Sequence, residues 1–173
     1  MNTANPNTVL LIAPVVDGLL DKLSTAVLVY RLYEQADPQA FLREVGHQVQ
    51  AVVTRGDIGV TRAVLEQLPS AGLVAVFGVG TDAVDLDYTR AHDIAVTTTS
   101  GVLTNDVADL AMGLLLAGAR QLCQGDNFVR EGKWPKQGPG LAPQVSGQRN
   151  GTFGMGNLGQ ALARRARGFR MWI

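Results

Sequence analysis

The sequence predicts an α/β protein whose first part is a doubly wound parallel sheet. Three observations predict it. Apolar runs and helical segments alternate about five times in the first hundred residues. The runs are continuously apolar rather than alternating, as befits strands covered on both faces. Proline or glycine closes several of them, where a strand must hand over to a loop.

Taken in order, "VLLIAP" (9–14) reads as a buried strand closed by a proline, and "VVDGLLDKL" (15–23) spaces its apolar residues as a helix does. "AVLVYRL" (26–32) is rich in Val, Leu and Tyr and reads as a strand. "DPQAFLREV" (37–45) carries an Asp cap with Pro at the first helical position. "VQAVVT" (49–54) is a strand, and "TRAVLEQLP" (61–69) is a helix ended by Pro69. "AGLVAVFG" (71–78) is a strand running into glycine, followed by a short helix (83–93) and a last strand, "IAVTTT" (94–99). This is a doubly wound domain over 1–98, of flavodoxin-like type.

After Gly101 the texture changes. The stretch 103–134 reads as one long helix, with Thr104 as N-cap and with Asn105 and Asp106 in a first turn where the dipole favours acceptors and negative charge. Its middle, "VADLAMGLLLAGA", is apolar on nearly every side, so it must pack between two bodies, two domains or two subunits. That run is too short to span a bilayer and contains Asp109. "PKQGPGLAPQVSG" (135–147) is a Pro- and Gly-rich surface connection.

Composition narrows the function classes. Of the residues 46% are hydrophobic, enough for a sizeable core. Fifteen basic residues balance fifteen acidic ones, which speaks against a nucleic-acid partner or a polybasic membrane anchor. The one basic cluster, "ARRARGFR" (163–170), reads as a solvated helix face bearing Arg164, Arg165 and Arg167. Cys123 is the sole cysteine; in an apolar helical context it is expected to be buried, and a reducing, cytoplasmic compartment fits. The N-terminal "MNTANPNT" lacks the charged and apolar regions of a secretory leader.

Two glycine-bearing loops could carry chemistry. Gly154, Gly156 and Gly159 form G-x-G-x-x-G between "RNGTF", expected to be a strand, and the amphipathic "NLGQALARRARGF". In a dinucleotide turn the first glycine gives the tight bend and the second lets backbone approach a pyrophosphate. The third lets the helix press on its strand, with phosphate resting on helix N-terminal N–H groups. A glycine-rich turn without a ligand has the same spacing. Asn150 and Thr152 interrupt the apolar strand, and the acidic ribose partner expected about 20 residues later would fall past Ile173. In "FGVGTDAVDLD" (77–87), Gly78 and Gly80 directly follow a strand. There the amides of Val79, Gly80 and Thr81 form either a nest for a carboxylate or phosphate or a plain strand-to-helix turn. Arg55 ends the neighbouring strand at the same edge and faces either that crevice or solvent. His47 and His92 sit at polar helix ends without an evident carboxylate partner.

With these residues in place, the chain resembles the D-isomer-specific 2-hydroxyacid dehydrogenases, most closely the glyoxylate, hydroxypyruvate and hydroxyphenylpyruvate reductases among them. The stretches that carry the likeness are "GVGTDAVDLD", "IAVTTTSGVLTNDVADLAMGLLLAGAR", "FVREGKW" and "SGQRNGTFGMGNLGQALARRARGF", in the family's order and spacing. The likeness is specific from about residue 50 to 170, and "VLTNDVADLA" is its most diagnostic part.

The resemblance implies a substrate (catalytic) domain over 1–98 and the incomplete beginning of a Rossmann NAD(P)-binding domain over 99–173. It implies a homodimer through the 103–134 helix and interconversion of 2-keto and D-2-hydroxy acids with NAD or NADP. Val79 and Gly80 match the loop that holds the substrate carboxylate, with Arg55 and Phe77 placed to bias side-chain preference. Thr104 matches a position beside the nicotinamide, and Gly154, Gly156, Asn157, Leu158 and Gly159 match the pyrophosphate loop. Asn157 stands where an arginine is usual, and Asn150, Thr152 and Phe153 replace aliphatic strand residues. The family's arginine, its acidic partner and the acid–base histidine would fall beyond position 173, so no catalytic residue is assigned. The chain therefore reads as C-terminally truncated and inactive by itself. The alternative is a non-catalytic, dimerising or carboxylate-binding remnant. The helix from Asn157 to Phe169 would expose Leu158, Ala161, Leu162 and Phe169 unless something covers them, so disorder or fast hydrogen exchange is expected beyond about residue 135.

Overall fold

Parallel pairing organises the first hundred residues. The computed structural model describes residues 7–173, so most of the polar N-terminal segment lies outside the described residues. The chain divides into two compact units, 1–100 and 101–173.

In the first unit the elements follow as β1 (Thr8–Leu11), α1 (Asp17–Ala26), β2 (Leu28–Arg31), α2 (Pro38–Val45) and β3 (Ala51–Arg55). Then come α3 (Arg62–Leu65), β4 (Leu73–Phe77), α4 (Leu86–Ala91) and β5 (Ala95–Thr98). All five strands are parallel in the order β2-β1-β3-β4-β5. That is the flavodoxin-like order, with its direction reversing between β1 and β3.

The period-two pleat sends successive side chains to opposite faces, and each face has a core. Leu10, Val52 and Val74 share one register row and are fully buried with Leu42, Leu65 and Leu68. Val9, Leu11 and Val53 point the other way, against Leu20 and Leu23 of α1. Each fully buried Leu or Val on these faces contributes about 1.5–3 kcal/mol. Asp37 caps α2 as the sequence predicts, accepting from the Ala40 amide at 3.0 Å with Pro38 in the first turn. Asp85 caps α4 in the same way through the Tyr88 amide.

The second unit contains α5 (Thr104–Ala119), α6 (Leu122–Arg130) and α7 (Asn157–Gly168). Met112 of α5, Ala166 of α7, Val145 and Met171 form its core, with Leu115, Leu116, Leu162 and Phe169 packed around them. Ala161, Ala163 and Ala166 are buried on α7, and their small side chains let the two helices approach.

Several expectations change here. The single helix over 103–134 is two helices, because Gln121 is left-handed (φ 53°, ψ 40°) and breaks the hydrogen-bond ladder. Arg120 meanwhile turns its guanidinium to the Pro143 carbonyl. Within the described residues α5 is not buried all round: Ala108 and Met112 are buried, whereas Leu110 and Leu114 are each 63% exposed. Cys123 is exposed rather than buried, because α6 has no buried residue. Arg165 does not belong to a solvated face. It reaches across to α5, donating to Asp109 at 2.5 Å and lying within 3.3 Å of the Asn105 carbonyl.

The strand expected at 149–153 is a single parallel bridge between Arg149 and Trp172, held by Asn150 N–H to Trp172 O and Trp172 N–H to Gln148 O. Asn150 directs its amide to Thr152. A pair of short segments without a further neighbour does not extend into a ladder. The apolar stripe of α7 is covered by α5 at Ala161, Leu162 and Phe169, and Leu158 alone stays 48% exposed.

Candidate functional site

Two loops gather the candidate residues, one in each unit. In the first unit, β3 and β4 run side by side with Arg55 paired to Phe77, so both strands end at one edge of the sheet. The loops beyond them touch. A Cβ placed on Gly56 would lie 3.0 Å from the Gly80 carbonyl oxygen, and one on Gly78 would lie 3.2 Å from the Gly56 nitrogen. The Gly78 carbonyl accepts from the Thr99 amide, which ties the loop to the end of β5.

Among the described residues, the amides of Val79, Gly80 and Thr81 donate to no protein acceptor, and the Thr81 carbonyl accepts from Val84 to close the turn. Three successive N–H groups left open at a strand's carboxyl end form a concavity suited to an anion. Val79 is 56% exposed and Phe77 is also exposed, so an incoming ligand can reach this backbone.

Arg55 is at this edge, but its charge is engaged. Its Nε and Nη2 reach the Asp57 carboxylate at 3.0 and 2.6 Å. The guanidinium in turn holds the Asp57 carboxyl below the usual carboxylate range. This partner was missed by sequence reasoning; the acid two residues after the arginine in "TRGD" was the available signal. His47 and His92 are not brought to the loop. His92 stacks on Tyr88 with its Nδ1 2.9 Å from the Tyr88 carbonyl, and Ser70 donates to the His47 carbonyl.

In the second unit the glycine loop leads into α7. Gly154 bends the chain at φ 92°, a conformation that a side chain disfavours. Gly159 must be glycine for a different reason: a Cβ there would lie 2.1 Å from the Gly154 carbonyl oxygen. Gly156 is the N-cap of α7, so Asn157, Leu158 and Gly159 supply the first-turn amides. No side chain caps them and no acid lies in that turn. The helix start is thus open to a negative group.

In front of it is a cleft of about 500 Å³ between Val107, Ala108 and Ala111 of α5 and Phe153, Gly156 and Leu158. These features fit the pyrophosphate of a dinucleotide: a tight bend, a close helix approach and free amides beside an open space. Thr104 is not the N-cap that the sequence suggested: it is the first residue of α5, with Leu103 at the cap position. Phe153 lines the cleft, a contributor that its place between Thr152 and Gly154 did not announce.

Comparison with known proteins converges on the same region of sequence. Residues 9–168 match the family model for the D-isomer specific 2-hydroxyacid dehydrogenase catalytic domain. A glyoxylate/hydroxypyruvate reductase of Arabidopsis thaliana is 36% identical over 93% of this chain and 51% of its own length. A solved 2-hydroxyacid dehydrogenase of Ketogulonicigenium vulgare is 40% identical with a TM-score of 0.92, over 95% of this chain and 52% of that one. An NADPH-dependent glyoxylate/hydroxypyruvate reductase of Sinorhizobium meliloti, solved with NADP and malonate, is 30% identical with a TM-score of 0.75, over 95% of this chain and 51% of that one. The chain thus spans about half the length of the relatives it matches. With both glycine loops inside a match that runs through nearly all the described residues, this chain belongs to the D-isomer specific 2-hydroxyacid dehydrogenase family.

Proposed function

We propose that these residues form the substrate domain and the first part of the nucleotide domain of an NAD(P)-dependent reductase of 2-keto acids, of the glyoxylate/hydroxypyruvate type. The observation that carries the reading is the open run of amides at Val79, Gly80 and Thr81 at the carboxyl end of β4. A 2-keto acid offers a carboxylate to those donors, and charge-assisted hydrogen bonds to backbone N–H groups fix its orientation. Phe77 and the Arg55–Asp57 pair flank this position and would set which side chain is accepted. The first-turn amides of α7 would hold the cofactor pyrophosphate, with Gly159 keeping the helix seated on the loop. The nicotinamide, when bound, supplies the hydride. Thr104, at the start of α5, is proposed to lie near the cofactor's reactive end.

No described residue is assigned as acid or base: neither histidine lies at the loop, and His92 is occupied by Tyr88. A polypeptide of these 173 residues alone is therefore expected to bind its ligands without turning them over. The exposed Leu110 and Leu114 on α5, with Val107, favour self-association through this helix into a homodimer. Among the described residues no helix is long and apolar enough to cross a membrane. The lone cysteine is a free, exposed thiol, which fits the reducing, cytoplasmic setting we propose.

Titration of the ¹⁵N-labelled chain with pyruvate and with NADPH tests this. Pyruvate should shift Val79, Gly80 and Thr81, and NADPH should shift Asn157, Leu158 and Gly159. Shifts for pyruvate without any for NADPH would favour the carboxylate-binding remnant. Steady oxidation of NADPH with hydroxypyruvate by the purified chain would overturn the expectation of inactivity.

A further inference from the structure

The carboxylate loop does not hold itself in place. It is braced by the segment after β3, through a hydroxyl the sequence gives no reason to single out. Thr54 is fully buried at the end of β3, and its Oγ1 donates to the Gly59 carbonyl at 2.5 Å. The turn between them is closed by the Arg55 carbonyl, which accepts from the Gly59 amide at 2.8 Å. The other side of the same peptide bond, the Val60 N–H, donates to the Ala83 carbonyl at 3.1 Å. Val60 and Val84 form a parallel bridge, and Ala83 belongs to the turn that Thr81 and Val84 close.

A peptide unit is planar, with its C=O and N–H pointing in opposite directions. Fixing the Gly59 carbonyl therefore aims the Val60 N–H. Gly59 is left-handed at φ 65°, and a Cβ there would come within 1.9 Å of the Ala83 oxygen, so the two loops meet backbone to backbone.

We propose that Thr54 is a positioning residue for substrate binding: its hydroxyl orients the Gly59–Val60 peptide, which in turn sets the loop bearing the Val79, Gly80 and Thr81 amides. Thr54 touches no ligand in this scheme. It acts through one peptide plane on a turn whose donors must converge on a single carboxylate. The proposal rests on the carboxylate reading above, but its brace can be observed without ligand.

The test uses the full 173-residue chain with Thr54→Val, which keeps the shape and removes the donor, and Thr54→Ser, which keeps the donor. Without ligand, Thr54→Val should accelerate hydrogen exchange at Val60, Val84 and Asp85 and leave core amides such as Leu10 and Val74 unchanged. Thr54→Ser should restore protection. With pyruvate, the apparent Kd in Thr54→Val should rise about tenfold, the scale of one lost hydrogen bond, and return to within about twofold in Thr54→Ser. If Thr54→Val does not fold, Thr54→Ser and Thr54→Ala provide the same contrast. Unchanged exchange at Val60 in Thr54→Val or Thr54→Ala would overturn the brace. Altered exchange with an unchanged pyruvate Kd would confine Thr54 to loop stability and overturn the positioning role. No pyruvate-dependent shift in the unsubstituted chain would overturn the carboxylate reading, and with it Thr54's role in binding, while the exchange data would still decide the brace.

Discussion

At the residue scale, single atoms decide what the two loops can do. A methyl group at position 159 would be placed 2.1 Å from a backbone oxygen that cannot rotate away. Gly159→Ala should therefore lift the start of α7 from its loop. We expect a loss of about 1–3 kcal/mol in chemical denaturation and the disappearance of NADPH-dependent shifts at Asn157 and Leu158. The pyruvate-dependent shifts at Val79 to Thr81 should survive. Arg55 and Asp57 make a second case. The Arg55 guanidinium favours the ionised form of Asp57, lowering its carboxyl from the ordinary value. The carboxyl resonance of Asp57 should titrate lower in the parent chain than in Arg55→Gln, where the guanidinium is gone. Equal midpoints in the two chains would mean that the pair does not persist in solution. Both side chains are exposed, so the pair tunes local charge more than stability.

At the element scale, α5 and α7 show how an arginine read as part of a solvated helix face becomes a tie within a packed pair. Arg165 crosses to Asp109 and Asn105, and it lowers the Asp109 carboxyl. A carboxylate depressed in the folded state stabilises that state above its unfolded pKa, and the contribution disappears as pH falls through the lower folded value. The α5–α7 contact should thus be constant at neutral pH and weaken progressively below about pH 5, where unfolded carboxylates begin to take protons. Hydrogen exchange across α7 as a function of pH measures this. Asp109→Asn should remove the acid-induced loss of protection. If parent and variant respond alike, the ion pair is not what couples these helices to pH. The expectation of disorder beyond residue 135 meets the same pair: Met112, Leu162 and Phe169 cover one another. We expect measurable protection in α7 and little at 138–144, which form no regular secondary structure.

At the scale of the whole molecule, each unit has its own core, and the second displays apolar surface that a core would normally consume. The exposed Val107, Leu110 and Leu114 lie on one helix in a chain of near-neutral charge. A contiguous apolar surface of that kind favours association. Sedimentation should show a dimer whose dissociation constant rises at least tenfold in Leu110→Glu or Leu114→Glu, since a charge buried in an apolar contact costs several kcal/mol. A strictly monomeric parent chain at high micromolar concentration would contradict dimerisation through α5.

The sequence by itself determined the sheet and the position of both loops. Strands such as Leu73–Phe77 announce themselves because a strand covered on both faces is apolar along its run, whatever its neighbours are. The Asp37 cap and the glycine spacing are equally local, set by φ values and by groups a few residues apart. Only the tertiary structure decided the rest. Arg165 finds Asp109 across 56 residues of chain, the Arg149 segment meets Trp172 instead of forming a strand, and Thr54 governs Ala83 through a single peptide plane. Those outcomes depend on which distant group arrives opposite a given atom, and periodicity and spacing carry no information about that.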